Sequence, residues 1–584
     1  MQSRSEIADV GSRLTVWRIR AAQWNSPAAA MGIIVFGLIL ALPGIFALPP
    51  IDRDESRFAQ ASRQMLEAET LEGWVVPRIM ERPRLNKPPL IYWLQAATVG
   101  VCTGGDSARD AIWMYRLPSV AAFVGILLVV WRLGAWMYDA RVGAAAALIL
   151  GTSPVFMWEA RQARADMVMV FFTTLAMAML WRIWRNDARR LAPAITLWTA
   201  VALGVLTKGP ITPMVVLLAA STLRVLTPGR WRGRMIWWLG IAMTFALVAP
   251  WVALVMREVG TREYLSIITD ETLGRAGEAK EGHSGPPGYH IIHGLGLFWP
   301  GAMLIGIGLC RACLRSRGEL ANAPRRGLAT VLRMSARRPE TFLLAWIVPS
   351  WLIFEVVSTK LPHYTMPLYP ALAIISARML MWAFGNTWRP GPWQLVGIAA
   401  WGIFGILALS AGPALLAELG EPNRTARIAG WTGSAMILGT GIVLATWLVR
   451  RRFARAAVLG ISMMAAFGII GIGLVLPGIS RPWTTGRLVA ELEKLDPALA
   501  VPIAGADYNE DSLIFQTRGR VRRIRAADID NWLHEHPEGL VIVHHDRAKA
   551  APDLEILSPP VSGYNYSRGR PVEVVIVRRR PGTP

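Results

Sequence analysis

About thirteen apolar stretches recur along this chain, at 29–49, 117–137, 142–158, 167–184, 193–207, 211–226, 235–256, 292–312, 341–357, 365–385, 394–413, 429–449 and 456–477. Most approach the ~20 residues that a helix needs to cross ~30 Å of hydrocarbon. Inside lipid every backbone N–H and C=O must find its partner within the protein, which leaves only helices and closed barrels. A barrel would show alternating segments of ~10 residues, and none is visible. The expected fold class is therefore an all-α polytopic membrane protein. A composition that is 53% hydrophobic and only 17% charged agrees with it. Residues 1–28 carry Arg4, Arg13, Arg18 and Arg20 and no small-residue cleavage site, so they read as a cytoplasmic segment ahead of a retained first span.

A net charge of +22 would suggest nucleic acid in a soluble protein. Here the arginines sit between spans, where they orient the chain and meet anionic headgroups, so no nucleic-acid partner is expected. One alternate set of loops holds Arg132 and Arg141, Arg182 to Arg190, Arg224 to Arg234, the run from Arg311 to Arg338, Arg389, and Arg450 to Arg455. Those loops read as cytoplasmic. The register works if residues 88–104, with their Pro-Pro start and aromatic content, lie along the membrane surface. The opposite set then gathers nearly every unusual polar residue: Asp52, Asp54, Glu55, Arg57, Arg84, Lys87, Arg116, Arg161, Arg164, Asp166, Lys208, Glu271, Arg275, His283, Lys360, His363 and Tyr364. Residues 480–584 alternate short apolar runs with Pro, Gly and charge, which predicts a small soluble α/β or α+β domain. An odd number of spans puts it on the same side as those loops. The expected organisation is a membrane domain at 29–479, with a first external loop at 50–116 and a long one at 257–291, followed by the soluble domain at 480–584.

Two or three carboxylates among several Lys and Arg at a membrane surface suit a substrate with a reacting hydroxyl and a phosphate. Cations clamp phosphate oxygens and stabilise leaving-group charge, while a carboxylate takes or orients the acceptor proton. Glycosyl transfer from a polyprenyl-phosphate sugar needs both functions and no nucleotide. Neither GxxxxGK[ST] nor a GxGxxG after a strand is present. A transporter or flippase of a lipid-linked sugar is the rival reading. It calls for internal repeats and broken helices, and the sequence displays neither. His283, His290 and His293 with Glu271 could hold a divalent cation, but their spacing matches no standard metal motif and a solvated loop explains them as well. No other cofactor is implied. Cys102, Cys310 and Cys313 lie in or beside apolar runs and form no disulfide or metal framework.

Five segments occur in order: DRDESRFAQASRQMLEAETLEGWVVPRIMERPRLNKPPLIYWLQA, RLPS at 116–119, EARQARADMVMVFFTTLA, LTKGP at 206–210, and STKLPHYTMPLYPALA. Together they resemble the GT-C class of lipid-linked-sugar glycosyltransferases. Within it they are most similar to the family of the lipid A aminoarabinose transferase and, more distantly, the protein O-mannosyltransferases. YNEDSLIFQTRGR in the tail resembles that family's terminal domain. The resemblance implies roles. Asp54 would be the catalytic base or acceptor-orienting carboxylate, with Glu55 beside it and Asp166 as the second acid. Arg57, Lys87, Arg116 and Arg275 would hold the donor's phosphate region, and Lys208, Lys360, His363 and Tyr364 would line the sugar-phosphate pocket. Asn86 departs from the aminoarabinose branch, which often carries Glu before the lysine. The implied partners are a polyprenyl-phosphate sugar, a lipid or protein acceptor and the surrounding membrane lipids. The implied location is the bacterial inner membrane, with the site and tail on the periplasmic side.

Overall fold

The computed structural model describes residues 26–185, 191–227, 230–274, 285–306, 308, 338–385 and 391–581. Nine helices among them are long and apolar enough to cross a membrane: Ile112–Met137, Ala165–Arg185, Leu191–Lys208, Trp231–Val259, Pro339–Val356, Pro362–Phe384, Pro392–Leu419, Arg424–Val449 and Phe453–Gly478. The protein is thus helical and multi-pass, but the count of thirteen is not reproduced. Three expected spans are shorter helices, Pro27–Ala41, Ala140–Gly151 and Ile211–Leu226, and 292–312 runs beyond the described residues.

The elements around the site are α1 (Pro27–Ala41), α2 (Asp54–Leu66), α3 (Leu90–Thr103), α4 (Ile112–Met137), α5 (Ala140–Gly151), α6 (Pro154–Glu159), α7 (Ala165–Arg185) and α8 (Leu191–Lys208). The run expected at 142–158 divides between α5 and α6 because Ser153 is extended and Pro154 opens a new helix. Helix α1 ends early for a similar reason, in a turn at Pro43 and Gly44. Gly44 adopts φ +80°, and a Cβ there would lie 2.7 Å from the Gly473 carbonyl oxygen, so glycine is required on both counts. Helices α4 and α5 approach closely at small residues, where a Cβ on Gly143 would meet the Trp131 carbonyl oxygen at 2.1 Å. Side chains of α1, α4, α5 and α7 merge into one apolar core.

Above that core lies the loop at 50–116. Its helix α2 buries Phe58, Ala59, Ala61 and Met65. Segment 88–104 supplies α3, which packs on α2 through apolar contacts and a hydrogen bond from Ser62 Oγ to Gln95 Oε1 of 2.7 Å. The loop's start is fixed by a fully buried pair. Arg116 on α4 donates to both carboxylate oxygens of Glu55 at 2.9 Å. It also donates to the carbonyls of Ile45, Leu48 and Pro49 at 2.7–3.0 Å. Glu55 in turn accepts from the backbone N–H of Ile51 and Ala163. Arg161 performs the same service nearby, donating to the Leu40, Pro43 and Met157 carbonyls. The two arginines satisfy carbonyls at and just beyond the end of α1 that its own backbone leaves without partners.

The tail forms a sheet. Arg78–Ile79 and Arg82–Pro83 make a small antiparallel ladder, β1 and β2, in the first loop. The six-stranded sheet comprises β3 (Ile503–Gly505), β4 (Val521–Arg523), β5 (Leu540–His544), β6 (Leu554–Ile556), β7 (Val561–Asn565) and β8 (Arg570–Arg579). Strand β3 pairs parallel with β4 and β5, whereas β8 pairs antiparallel with β5, β6 and β7. Alternate residues of β5 enter two cores, Ile542 on one face and Val541 and Val543 on the other. The domain docks on α2: Arg63 donates to Asp110 at 2.8 Å and to the Phe515 carbonyl at 2.7 Å, and its guanidinium lies 4.1 Å above the Phe515 ring. Arg518 adds a 3.0 Å ion pair to Asp110. The tail and the first loop therefore share one side of the helical bundle.

Removing one partner of a buried, hydrogen-bonded ion pair costs about 3–5 kcal/mol. Arg116→Met should accordingly lower the unfolding temperature of the purified protein sharply and reduce its yield in membranes. Wild-type melting of that variant would mean that the pair does not hold the loop.

Candidate active site

Five stretches of the chain enclose one polar cavity of about 290 Å³. The start of α2 supplies Asp54, Arg57 and Phe58, and the return of the first loop supplies Arg84, Asn86 and Lys87. The turn between α6 and α7 gives Gln162 and Arg164 and the first turn of α7 gives Asp166, joined by Lys208 at the end of α8 and by His363 and Tyr364 of the segment before the helix Tyr369–Gly385. Asp54 is at the centre of the cationic wall. Its carboxylate lies 3.5 Å from Arg84, 3.5 Å from Arg164 and 4.0 Å from Arg57. Burial would raise its pKa, but Arg164, Arg84, Lys87 and Arg57 outweigh burial and hold it below the ordinary carboxylate range.

A second acidic centre faces it. Asp166 meets the Lys208 ammonium in a charge-assisted hydrogen bond, with His363 at 3.7 Å and Arg164 at 4.0 Å. Arg164 links the two acids, since it also binds buried Glu159 at 3.0 Å and touches His363 at 3.5 Å. Burial would lower the Arg164 pKa, yet Glu159, Asp166, Asp54 and Glu55 together raise it, so the guanidinium is permanently charged. Lys208 lies 5.7 Å from the Tyr364 ring centre, in cation–π range. Lys87 bonds Glu271 and thereby ties the first loop to the segment after the helix Trp237–Val259.

Seven of the residues assigned roles from sequence therefore converge: Asp54, Asp166, Arg57, Lys87, Lys208, His363 and Tyr364. Four do not join them in the same way. Glu55 reaches the cavity wall, but both its oxygens are engaged by Arg116 and backbone N–H groups. Arg116 is wholly buried and does not line the cavity, so its place is structural, in contrast to the expected phosphate contact. Lys360 points away and donates to the Gly285 and Pro286 carbonyls at 3.0 and 3.2 Å, although its neighbours Thr359 and Leu361 face the cavity. Arg275 lies outside the described residues.

Arg53, Arg84, Arg164 and Trp158 line the cavity without having been given a role from motifs. The sequence signal was present for Arg164, two positions before Asp166 in EARQARAD, and for Arg84, three before Lys87. Among the described residues no three His, Cys, Asp or Glu side chains converge as a metal cluster. Of the histidines considered for a cation, His283 is outside the described residues. His293 stacks on Tyr289 at 4.1 Å, and His290 is buried against the same ring.

With this geometry in view, the sequence matches the dolichyl-phosphate-mannose-protein mannosyltransferase family over residues 86–253. Undecaprenyl phosphate-alpha-4-amino-4-deoxy-L-arabinose arabinosyl transferases of Edwardsiella ictaluri and Pseudomonas aeruginosa (strain UCBPP-PA14) are each 27% identical to it, over 59% of this chain. The chain spans 57% and 59% of their respective lengths. The structure of ArnT from Cupriavidus metallidurans bound to undecaprenyl phosphate superposes with a TM-score of 0.68 at 20% identity, over 96% of this chain and 98% of that one. The chain has the GT-C fold. The Archaeoglobus fulgidus oligosaccharyltransferase shares the GT-C arrangement more loosely, with a TM-score of 0.50 at 11% identity over 89% of this chain and 70% of that one. The family match covers Lys87, Arg164, Asp166 and Lys208, while Asp54 and Arg84 of the GT-C cavity precede it.

Asp52, at the cavity rim, offers a pH test of this electrostatic layout. Burial lifts its pKa to about 6 despite the 2.9 Å hydrogen bond it accepts from the Ser512 N–H, with Glu510 and Asp511 adding repulsion. Folding thus tightens its proton, so its stabilising contribution is complete below the ordinary value of 3.8 and is lost as pH rises through about 6. Asp52→Asn should melt higher than wild type at pH 8 and gain nothing at pH 4. An equal gain at both pH values would contradict the assignment.

Proposed function

We propose that this chain is a glycosyltransferase that moves a sugar from a polyprenyl phosphate of the undecaprenyl type to an envelope acceptor, a lipid or a protein, at the periplasmic face of the inner membrane. The observation that carries the reading is Asp54 ringed by Arg57, Arg84 and Arg164 in the same cavity as the Lys208–Asp166 pair. The GT-C fold and the arabinosyl transferase relatives support the substrate class.

The chemistry follows from those charges. An acceptor oxygen attacks the anomeric carbon, the bond from that carbon to the phosphate oxygen breaks, and the lipid monophosphate departs with the electron pair. A phosphate leaving group is a stable anion, so cations at its oxygens suffice and no acid need protonate it. Arg84, Lys87, Arg164 and Lys208 are available for that task, and direct displacement inverts the anomeric configuration. Asp54 orients the acceptor and receives its proton when the acceptor is a hydroxyl. In the resting protein four cations make it a weak base. A donor phosphate drawn to the same cations screens them from Asp54 and raises its affinity for a proton, which couples base strength to donor binding. Asn86 contributes no charge to the wall and so offers no counter-ion to an amino group on the sugar.

Asp54→Asn should reduce transfer at least ~10²-fold, the scale expected for a general base, while the protein still inserts and folds. The measurement is release of free polyprenyl phosphate from proteoliposomes, joined to mass spectrometry of envelope lipids and glycoproteins from cells with and without the chain. Substantial turnover by the variant would refute the role of Asp54. Movement of lipid-linked sugar without polyprenyl phosphate release would make the protein a flippase instead.

A further inference from the structure

A second cavity, of about 480 Å³, lies in the seam between the first loop and the sheet domain. Arg53 and Arg57 form its loop side, and Glu510, Asp511, Arg523 and Arg568 form its domain side. Because Arg53 and Arg57 also line the cavity around Asp54, the two spaces share a wall. Arg57 divides them: its guanidinium is 4.0 Å from Asp54 on one side and binds Asp511 at 2.7 Å on the other.

The arginines of the seam are held from behind. Asp511, almost fully buried, accepts from Arg57 through one oxygen and from Arg523 at 2.8 Å through the other. Glu510 is equally buried, is fixed by Asn565 and Ser567 at 2.7 Å, and pairs with Arg568 at 3.3 Å. Arg523 and Arg568 each meet their carboxylate through one nitrogen, and their other guanidinium N–H groups donate to nothing among the described residues. Both side chains remain more than 40% exposed. A solvated surface arginine has no such buried anchor. Here four guanidinium groups stand against two carboxylates, which leaves an excess of two positive charges in a concave space.

We propose that this seam is an anion subsite that holds a phosphate monoester on the headgroup of the acceptor while an oxygen of that acceptor reaches Asp54. The assignment rests on the glycosyltransferase reading above. A phosphate monoester carries about −1.5 to −2 charges near neutral pH, which matches the excess, and guanidinium forks fit its oxygens in pairs. The donor phosphate already has its own cations in the neighbouring cavity. A headgroup seated in the seam would therefore approach from the opposite side of Arg57, as a displacement at the anomeric carbon demands. The docking of the domain on α2, the helix beside the bundle, favours a membrane lipid over a free solute.

The test uses the full chain in phosphatidylcholine nanodiscs. Three probes are titrated in turn: a monophosphorylated disaccharide lipid, its dephosphorylated form, and undecaprenyl phosphate. Wild type should bind the phosphorylated glycolipid at least tenfold more tightly than the dephosphorylated one. The double variant Arg523→Gln/Arg568→Gln should lose that preference and keep its affinity for undecaprenyl phosphate, which also reports that it is folded. Equal binding of the two glycolipids by wild type would overturn the subsite, as would a variant that loses undecaprenyl phosphate and not the glycolipid. Inorganic phosphate should displace the glycolipid only at 100-fold or greater excess. Displacement at equal concentration would show a site for the free ion and overturn the lipid assignment. If undecaprenyl phosphate fails to bind wild type while the phosphate preference and its loss in the variant persist, the subsite stands and the donor reading falls.

Discussion

Glu55 and Arg116 set the frame on which the cavity is built. Their mutual bonds and the carbonyls that Arg116 satisfies fasten the end of α1, the start of α2 and the start of α4 to one another. Asp54 is the residue next to Glu55, so its direction is fixed by that lock. Charge buried at the top of a helical bundle is tolerable only where each group finds an opposite partner and its remaining hydrogen-bonding capacity is met. The pair meets both conditions, and it releases the adjacent carboxylate to face the cavity.

The cavity itself obeys a different rule. Cations outnumber carboxylates along its lining, with Arg53, Arg57, Arg84, Lys87, Arg164 and Lys208 against Asp52, Asp54, Glu55 and Asp166. Glu55 is already neutralised by Arg116, which widens the imbalance. Such a wall is stabilised by an incoming anion, and Arg164, in contact with Asp54, Glu159, Asp166 and His363, transmits that event to both acidic centres. Binding of an anion there and the tuning of the carboxylates are therefore one electrostatic process.

Much of this was legible in the amino-acid sequence. Hydropathy and length locate the helices because lipid forces backbone groups to pair locally, and the alternation of basic loops sorts Asp54, Lys87, Asp166 and Lys208 onto one side. Pairing between distant residues is not encoded in any local pattern. Glu55 and Arg116 look like site residues until the fold brings them together. Lys360 shares its motif with His363 and Tyr364, yet on an extended stretch adjacent side chains point in opposite directions, and it turns to the Gly285 and Pro286 carbonyls. Arg164 has the opposite history: a lone arginine at a span end commonly snorkels to the headgroups, and only the proximity of three acids distinguishes it. The division of expected spans at Ser153–Pro154 and at Gly44 was likewise set by backbone conformation that hydropathy averages away.

Asp511 reaches Arg57 across more than four hundred positions of chain, and the Ser512 N–H does the same for Asp52. Loop and domain are separated in the chain by all nine of the long apolar helices among the described residues. The seam cavity, and Arg57 on its dividing wall, therefore gain their full set of partners only once the sheet has folded back onto the loop. Closure of the seam is thus a long-range event, whereas the cavity around Asp54 is walled by the loop and the helical bundle alone.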